Sequence, residues 1–230
     1  MVADEQGQRL LRLQAASDQL GLALSATQIQ GLMDYLALLQ RWNKVYNLTA
    51  LRDPDAMLSH HLIDCLALLP ALRRWVVGQA RPQARLLDVG SGGGLPGVLL
   101  ALLHPDWVVH CVDTVSKKAS FIRQVAVDLR LPNLQGLHAR VEALQADHGG
   151  YDVITSRAFA SLVDFTALSA HLLTSQGVWV AMKGKQPAEE QAQLPASVTV
   201  FHVEQLQVPG LDAQRCLVWM RPTQASAGSA

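Results

Sequence analysis

The sequence predicts an α/β fold: a mostly parallel, doubly wound sheet that ends in an antiparallel C-terminal hairpin and is preceded by an N-terminal helical extension. Three observations predict it. Residues 6–77 carry helical periodicity and no strand-like alternation. From Arg85 onward, short apolar runs of strand length alternate with helical segments. The last two apolar runs, near 198–208 and 215–221, have no long helix between them. Repeated strand–helix alternation implies a parallel sheet covered on both faces by right-handed crossovers. A final pair without a crossover implies antiparallel strands.

The elements follow in order. Ser25 and Gln28 have the spacing of a capping box, and Ile29, Leu32, Leu36 and Leu39 then step by three and four along one helix face. Asp53-Pro54 opens a second helical stretch, an Asp cap with Pro at the first helical position, and the run MLSHHLIDCLALL is expected to end at Pro70. RLLDV (85–89) is a strand that enters a Gly-rich loop and the helix LPGVLLALL (95–103). WVVHCVD (107–113) precedes the helix 115–129, and LQGLHA (134–139) precedes a short helix near 141–146. YDVITSRA (151–158) leads into a helix over 162–173, and GVWVAMKG (177–184) into a helix at PAEEQAQL. With the two closing strands the sheet has seven. The chain divides into a helical extension over 1–80, a sheet domain over 81–221 and a disordered polar tail over 222–230.

Composition excludes several classes. The 230 residues are 50% hydrophobic and 17% charged, so the chain is not disordered and buries about 70% of its unfolded surface. Lys+Arg and Asp+Glu are both 19, which argues against a uniformly basic polyanion binder while leaving local patches open. Cys65, Cys111 and Cys216 form neither a CxxC pair nor an even set, and the opening MVADEQGQ does not read as a signal peptide. A reducing cytoplasm is the expected location. No apolar run approaches the ~20 residues that span a bilayer, so no membrane is expected as a partner.

The chemistry concentrates in LLDVGSGGGLPG, at a strand end and a helix start, where a doubly wound sheet binds its ligand. Gly90, Gly92, Gly93 and Gly94 let a ligand approach the backbone. Gly92, Gly94 and Gly97 also satisfy the dinucleotide pattern G-x-G-x-x-G, interrupted by Pro96. Asp88 discriminates. A carboxylate just before the first glycine would repel a pyrophosphate and suits a ligand with an ammonium or sulfonium group. No Lys-Ser/Thr follows the glycines, which excludes a P-loop. Asp113 ends the next strand, where an acid accepts hydrogen bonds from ribose hydroxyls. NAD enzymes and S-adenosylmethionine enzymes share that acid. Asp88, the glycines and Asp113 together resemble the Rossmann-like class I methyltransferases.

Further segments narrow the resemblance. WNKVYNLTA (42–50), DPDAML (53–58), HLIDC (61–65), DVGSGGGLPG (88–97), FIRQV (121–125), ARVEAL (139–144), SRAFASL (156–162) and MKG (182–184) are similar, in collinear order over roughly 10–221, to the RsmG (GidB) family of bacterial small-subunit rRNA guanine-N7 methyltransferases. The resemblance implies a class I methyltransferase sheet with an N-terminal helical extension and S-adenosyl-L-methionine as cofactor. It implies methyl transfer to N7 of one guanosine in a decoding-region loop of 16S rRNA. Carried over by position, it implies cofactor contacts at Gly90, Leu95, Val141, Glu142 and Arg157, besides Asp88, Gly92, Gly94 and Asp113. GSGGG stands where many relatives have GTGPG, and Cys65 where Ser is common.

Guanine N7 carries a free lone pair and no proton, so displacement at a sulfonium methyl needs no general base. No acid–base dyad is assigned, and His60, His61 and Asp64 are read as structural. No His/Cys cluster has metal-ligand spacing. Residues 88–114 hold three acids and no Lys or Arg, matching a cationic cofactor, while residues 115–185 hold eight bases against five acids. Arg123, Arg140, Lys183, Lys117 and Lys118 are therefore candidate RNA contacts. Arg41, Lys44 and Asn47 extend that surface, while Trp42 and Tyr46 are read as core. The partner expected is 16S rRNA or a small-ribosomal-subunit particle, met by a monomer with no obligate protein partner. A methyltransferase of a small molecule or protein, and an NAD-binding module, remain the alternatives at this point.

Overall fold

A computed structural model of the chain describes residues 2–79, 83–146, 149–157, 159 and 161–223. The helices of the extension are α1 (Val2–Gln19), α2 (Ala26–Tyr46), α3 (Pro54–Met57), α4 (Asp64–Leu66) and α5 (Leu69–Gly78). The capping box forms as its spacing predicts: Gln28 N–H donates to Ser25 Oγ and Ser25 N–H to Gln28 Oε1. Ile29, Leu32, Leu36 and Leu39 are buried along one face of α2. Asp53 caps α3 through the Ala56 N–H at 2.7 Å. Between α3 and α4 the helix widens into a π-helical turn over Leu58–Ile63. Pro70 does not end this stretch. It stands in the first turn of α5, where its missing N–H costs no hydrogen bond.

The sheet strands are β1 (Arg85–Val89), β2 (Val108–Asp113), β3 (Leu134–His138), β4 (Tyr151–Ser156), β5 (Leu173–Lys183), β6 (Val198–Leu206) and β7 (Arg215–Pro222). Helices α6 (Gly97–Leu103), α7 (Ser116–Asp128), α8 (Leu162–Ser169) and α9 (Ala188–Ala192) connect them. The strand order is β3-β2-β1-β4-β5-β7-β6. β1 to β5 pair in parallel, and β7 pairs antiparallel with both β5 and β6. The closing strand thus inserts beside β5 and leaves β6 at the edge, an order that the hairpin pattern alone does not specify. Pro222 still pairs with Val198, one residue past the expected sheet boundary. Of the expected tail, residues 224–230 lie outside the described residues.

Successive strand residues face opposite sides, and the two cores follow that period. Val153, Val178 and Val180 point to one side, with the extension, α6 and α7. Ile154, Trp179 and Ala181 point to the other, with α8. Residues from α1 to α5 lie in the same continuous cluster as one face of the sheet, from Leu13 and Leu36 to Val180 and Trp219. Each such buried leucine stabilises by about 1.5–3 kcal/mol, so the helical segment is bound to the sheet by its own core. Among the described residues, no helix is long and apolar enough to cross a membrane.

Candidate functional site

The chain reverses direction across the sheet between β1 and β4. The carboxyl ends of those strands therefore open a crevice. Val89 and Ser156 end these two strands, and Ser156 Oγ–H donates to the Val89 carbonyl at 2.9 Å. The loop after β1 is pinned to β2, because Gly90 N–H and Ser91 N–H both donate to the Val112 carbonyl. Gly90 and Gly92 have φ of +66° and +58°, which L side chains rarely adopt. A Cβ built on Gly90 would meet only the Phe159 ring, at 4.0 Å, so it would stand in the crevice itself. Helix α2 supports the loop from behind: Tyr35 O–H donates to the Gly93 carbonyl at 2.6 Å.

Two cavities meet at Gly90 and Lys118, which line both. The larger, about 430 Å³, is lined by Asp113, Arg140, Val141 and Glu142 with the apolar Val112, Phe159 and Leu168. Asp113 Oδ2 accepts from Gly92 N–H at 3.0 Å and Oδ1 from Val115 N–H at 2.9 Å, while Lys118 Nζ stands 3.5 Å away. These bonds fix the carboxylate and leave lone pairs for a ribose diol. Glu142 is held below the usual carboxylate range by a hydrogen bond from its own backbone N–H and by Arg140. The smaller cavity, about 190 Å³, lies over the loop between Gly92, Leu95, Arg157, Thr49 and His61.

Arg157 leaves the end of β4 and turns into the extension. Its Nη1–H donates to the His60 carbonyl at 2.9 Å, and it lies 3.7 Å from Asp64. Asp64 in turn accepts from Arg215 Nε at 2.7 Å. Burial, followed by the charge of Arg157, pushes the His61 pKa down to about 4. Beyond Arg157 a third cavity, about 370 Å³, is lined by His60, Asp64, Lys183 and Arg215. His61 and Arg157 line both this cavity and the one over the loop.

The expected residues therefore divide. Gly90, Gly92, Leu95, Asp113, Val141, Glu142 and Arg157 line the joined cavities, as do Arg140 and Lys118. Asp88 and Gly94 line none of these. Asp88 is 1% exposed beneath the loop, with Oδ2 accepting from Gly97 N–H at 2.9 Å and Oδ1 left without a partner. Burial pushes its pKa up to about 7. It lies beneath the loop, bonded to Gly97, and outside the three cavities. Arg123 donates to the Gly136 carbonyl and to Ser120 Oγ. Lys183 is paired with Glu190, and Asn47 caps the C-terminus of α2. Lys117, Arg41 and Lys44 are exposed on α7 and α2. Trp42 packs on Phe121, whereas Tyr46 is 41% exposed and so is not core. Thr49, His61 and Phe159 were not singled out as ligand contacts by the sequence. No spacing pattern links them to the glycines, and only the fold brings them there.

Comparisons with known proteins give the family. The family model GidB, rRNA small subunit methyltransferase G, matches residues 28–218. The chain belongs to that family. It is 61% identical over 215 residues to the ribosomal RNA small subunit methyltransferase G of Acidovorax sp. (strain JS42), covering 91% of this chain and 94% of the relative. It is 59% identical over 217 residues to the protein of the same name from Polaromonas sp. (strain JS666 / ATCC BAA-500), covering 94% and 95%. Among solved structures, TrmN from Thermus thermophilus superposes with a TM-score of 0.54 at 22% identity, over 72% of this chain and 53% of that one. A ribosomal protein L11 methylase from Lactobacillus delbrueckii subsp. bulgaricus gives 0.53 at 15% identity, over 69% and 78%. The fold is that of the class I methyltransferases.

S-adenosylmethionine is the cofactor of this family, and the site fits it. Gly90 clears the space that a side chain would fill. The larger cavity offers apolar walls for an adenine and the Asp113 carboxylate for a ribose. Among the described residues, no group of His, Cys, Asp and Glu is arranged to hold a metal ion.

Proposed function

We propose that this GidB-family chain methylates N7 of a specific guanosine in a decoding-region loop of 16S rRNA. The observation that carries the reading is the pair of cavities joined at Gly90, in a chain that matches an rRNA methyltransferase family over most of its length. Asp113, Val141 and Glu142 would hold the adenosine part of the cofactor, and Gly90, Gly92, Leu95 and Arg157 its amino-acid part. Bound there, S-adenosylmethionine supplies an electrophilic methyl on sulfur.

The chain's own part is alignment and exclusion of water. Guanine N7 has no proton to lose, so the reading calls for no general base. Among the described residues His61 is the one imidazole lining the joined cavities, with one nitrogen facing Arg157 and one facing Thr49. It is not free to take a substrate proton. Alignment of the reacting pair can be worth about 7–11 kcal/mol at its upper end. Lys118 and Arg140 line the joined cavities, Lys117 stands directly before Lys118 on α7, and Lys183 lines the third cavity, where RNA phosphates would be held. Arg123, Arg41, Lys44 and Asn47 would serve only a more extended footprint.

The test is incubation with labelled S-adenosylmethionine and 16S rRNA from a strain lacking the modification. The expected product is 7-methylguanosine at one position. Label on another atom, or on a protein or small molecule in place of RNA, overturns the reading.

A further inference from the structure

The cavity over the glycine loop is lined by two cations, Lys118 and Arg157, and by no Asp or Glu among the described residues. Its hydrogen-bond directions can be worked out from Arg157, which can only donate. Arg157 Nη2 lies 3.3 Å from His61 Nδ1; we take that nitrogen as the acceptor, which puts the ring proton on Nε2 and sets aside the other tautomer, with Nδ1–H on the His60 carbonyl at 3.2 Å. In this tautomer Nδ1 and the His60 carbonyl oxygen both accept from the Arg157 guanidinium. His61 Nε2–H then donates to Thr49 Oγ1 at 2.7 Å. Leu51 N–H donates to the same oxygen at 3.2 Å. Both lone pairs of the Thr49 hydroxyl are thereby occupied, and its one proton is left to donate. Burial and the neighbouring Arg157 keep His61 neutral, with a pKa of about 4, so the order of donors is unchanged at neutral pH.

We infer that Thr49 is a cofactor-binding residue whose hydroxyl donates to the carboxylate of S-adenosylmethionine, with His61 as the positioning residue that sets the direction of that bond. The carboxylate is the only anionic group of the cofactor. The cavity over the loop holds Lys118 and Arg157 and no acid among the described residues, whereas the adjoining one, which shares Lys118 and adds Arg140, also holds the acids Asp113 and Glu142 between apolar walls. The carboxylate is therefore matched to the acid-free cavity and the ribose diol to Asp113. Thr49 and His61 both precede β1, so the helical extension completes the site and is more than a cover for the sheet. The inference rests on the cofactor placement proposed above.

Calorimetry with S-adenosylmethionine and with its decarboxylated analogue tests it. The analogue keeps sulfonium and ammonium and lacks only the carboxylate. Wild type is expected to prefer the carboxylated ligand. Thr49→Val is expected to weaken S-adenosylmethionine roughly tenfold, as loss of a hydrogen bond to a charged group does, and to leave the analogue unchanged. Thr49→Ser retains the wild-type preference. His61→Leu narrows the preference selectively, whereas a merely structural role would lower both affinities alike. Equal losses for both ligands in Thr49→Val, or no loss, overturn the assignment. Asp113→Ala should weaken both ligands together. If it weakens neither, the cofactor placement itself fails, a result distinct from the Thr49 outcome.

Discussion

Arg215 Nε donates to Asp64 Oδ1 at 2.7 Å and so ties the start of the last strand to a helix 151 residues earlier. The Asp64 side chain is 5% exposed and that of Arg215 23%. Arg157, 3.7 Å from the other carboxylate oxygen, remains to neutralise Asp64 if Arg215 is removed. Arg215→Ala is therefore expected to cost about 1–3 kcal/mol, below the loss for a fully buried and isolated pair. Urea unfolding measures it, and an unchanged midpoint would show that the pair adds nothing.

Gly97 opens α6 with its N–H on Asp88 and its Cα against Cys111 Sγ, where a Cβ would overlap the sulfur. Gly97→Ala must displace strand β2 or the loop. A loss of about 1–3 kcal/mol is expected, with weakened S-adenosylmethionine binding because the same loop forms the crevice floor. Thermal unfolding and calorimetry on one sample read both effects.

Asp88 gives a pH dependence of definite sign. Its folded pKa of about 7 lies above the ordinary carboxylate value of 3.8 because burial disfavours the charged form. Between those limits the folded chain binds more protons than the unfolded one, so this group lowers stability as pH rises from about 4 to about 7 and no further above that. Asp88→Asn keeps an oxygen acceptor for Gly97 and removes the titration. The stability of this variant relative to wild type should climb across that window by up to a few kcal/mol. A constant difference between the two unfolding profiles would mean that Asp88 is ionised in the fold throughout.

Lys117 is exposed in the first turn of α7, beside the Lys118 that lines both joined cavities. Replacing it with Gln should leave cofactor affinity unchanged. It should also reduce the salt dependence of RNA binding by roughly 0.7 in the log–log slope if the residue meets one single-strand phosphate. An identical slope removes Lys117 from the RNA footprint.

Much of this molecule was legible in the linear chain because local chemistry determined it. RLLDV falls on β1 to the residue, and the Ser25 box forms as its spacing requires. The glycines and Asp113 could be read because they stand at strand ends, and strand ends in this topology have one destination. What stayed hidden depends on long-range packing. The insertion of β7 between β5 and β6 is invisible to periodicity, which sees two strands and not their order. Asp88 was read as a ligand contact because its charge was legible, while its burial under the loop by Gly97 was not. His61 looked structural because nothing nearby in sequence announces Arg157, 96 positions away.

The π-helical turn over Leu58–Ile63 has a geometric consequence of its own. Such a turn holds about one residue more than an α-helical one, and each residue of a helix advances by about 100°. Removing Leu62 or Ile63, between His61 and Asp64, would leave a continuous helix but rotate those two side chains against each other by that angle. His61 could then still face Thr49, or Asp64 could still face Arg215, but not both. The extra residue works as a phase adjuster, letting one short helical stretch serve the crevice on one azimuth and anchor the final strand on another.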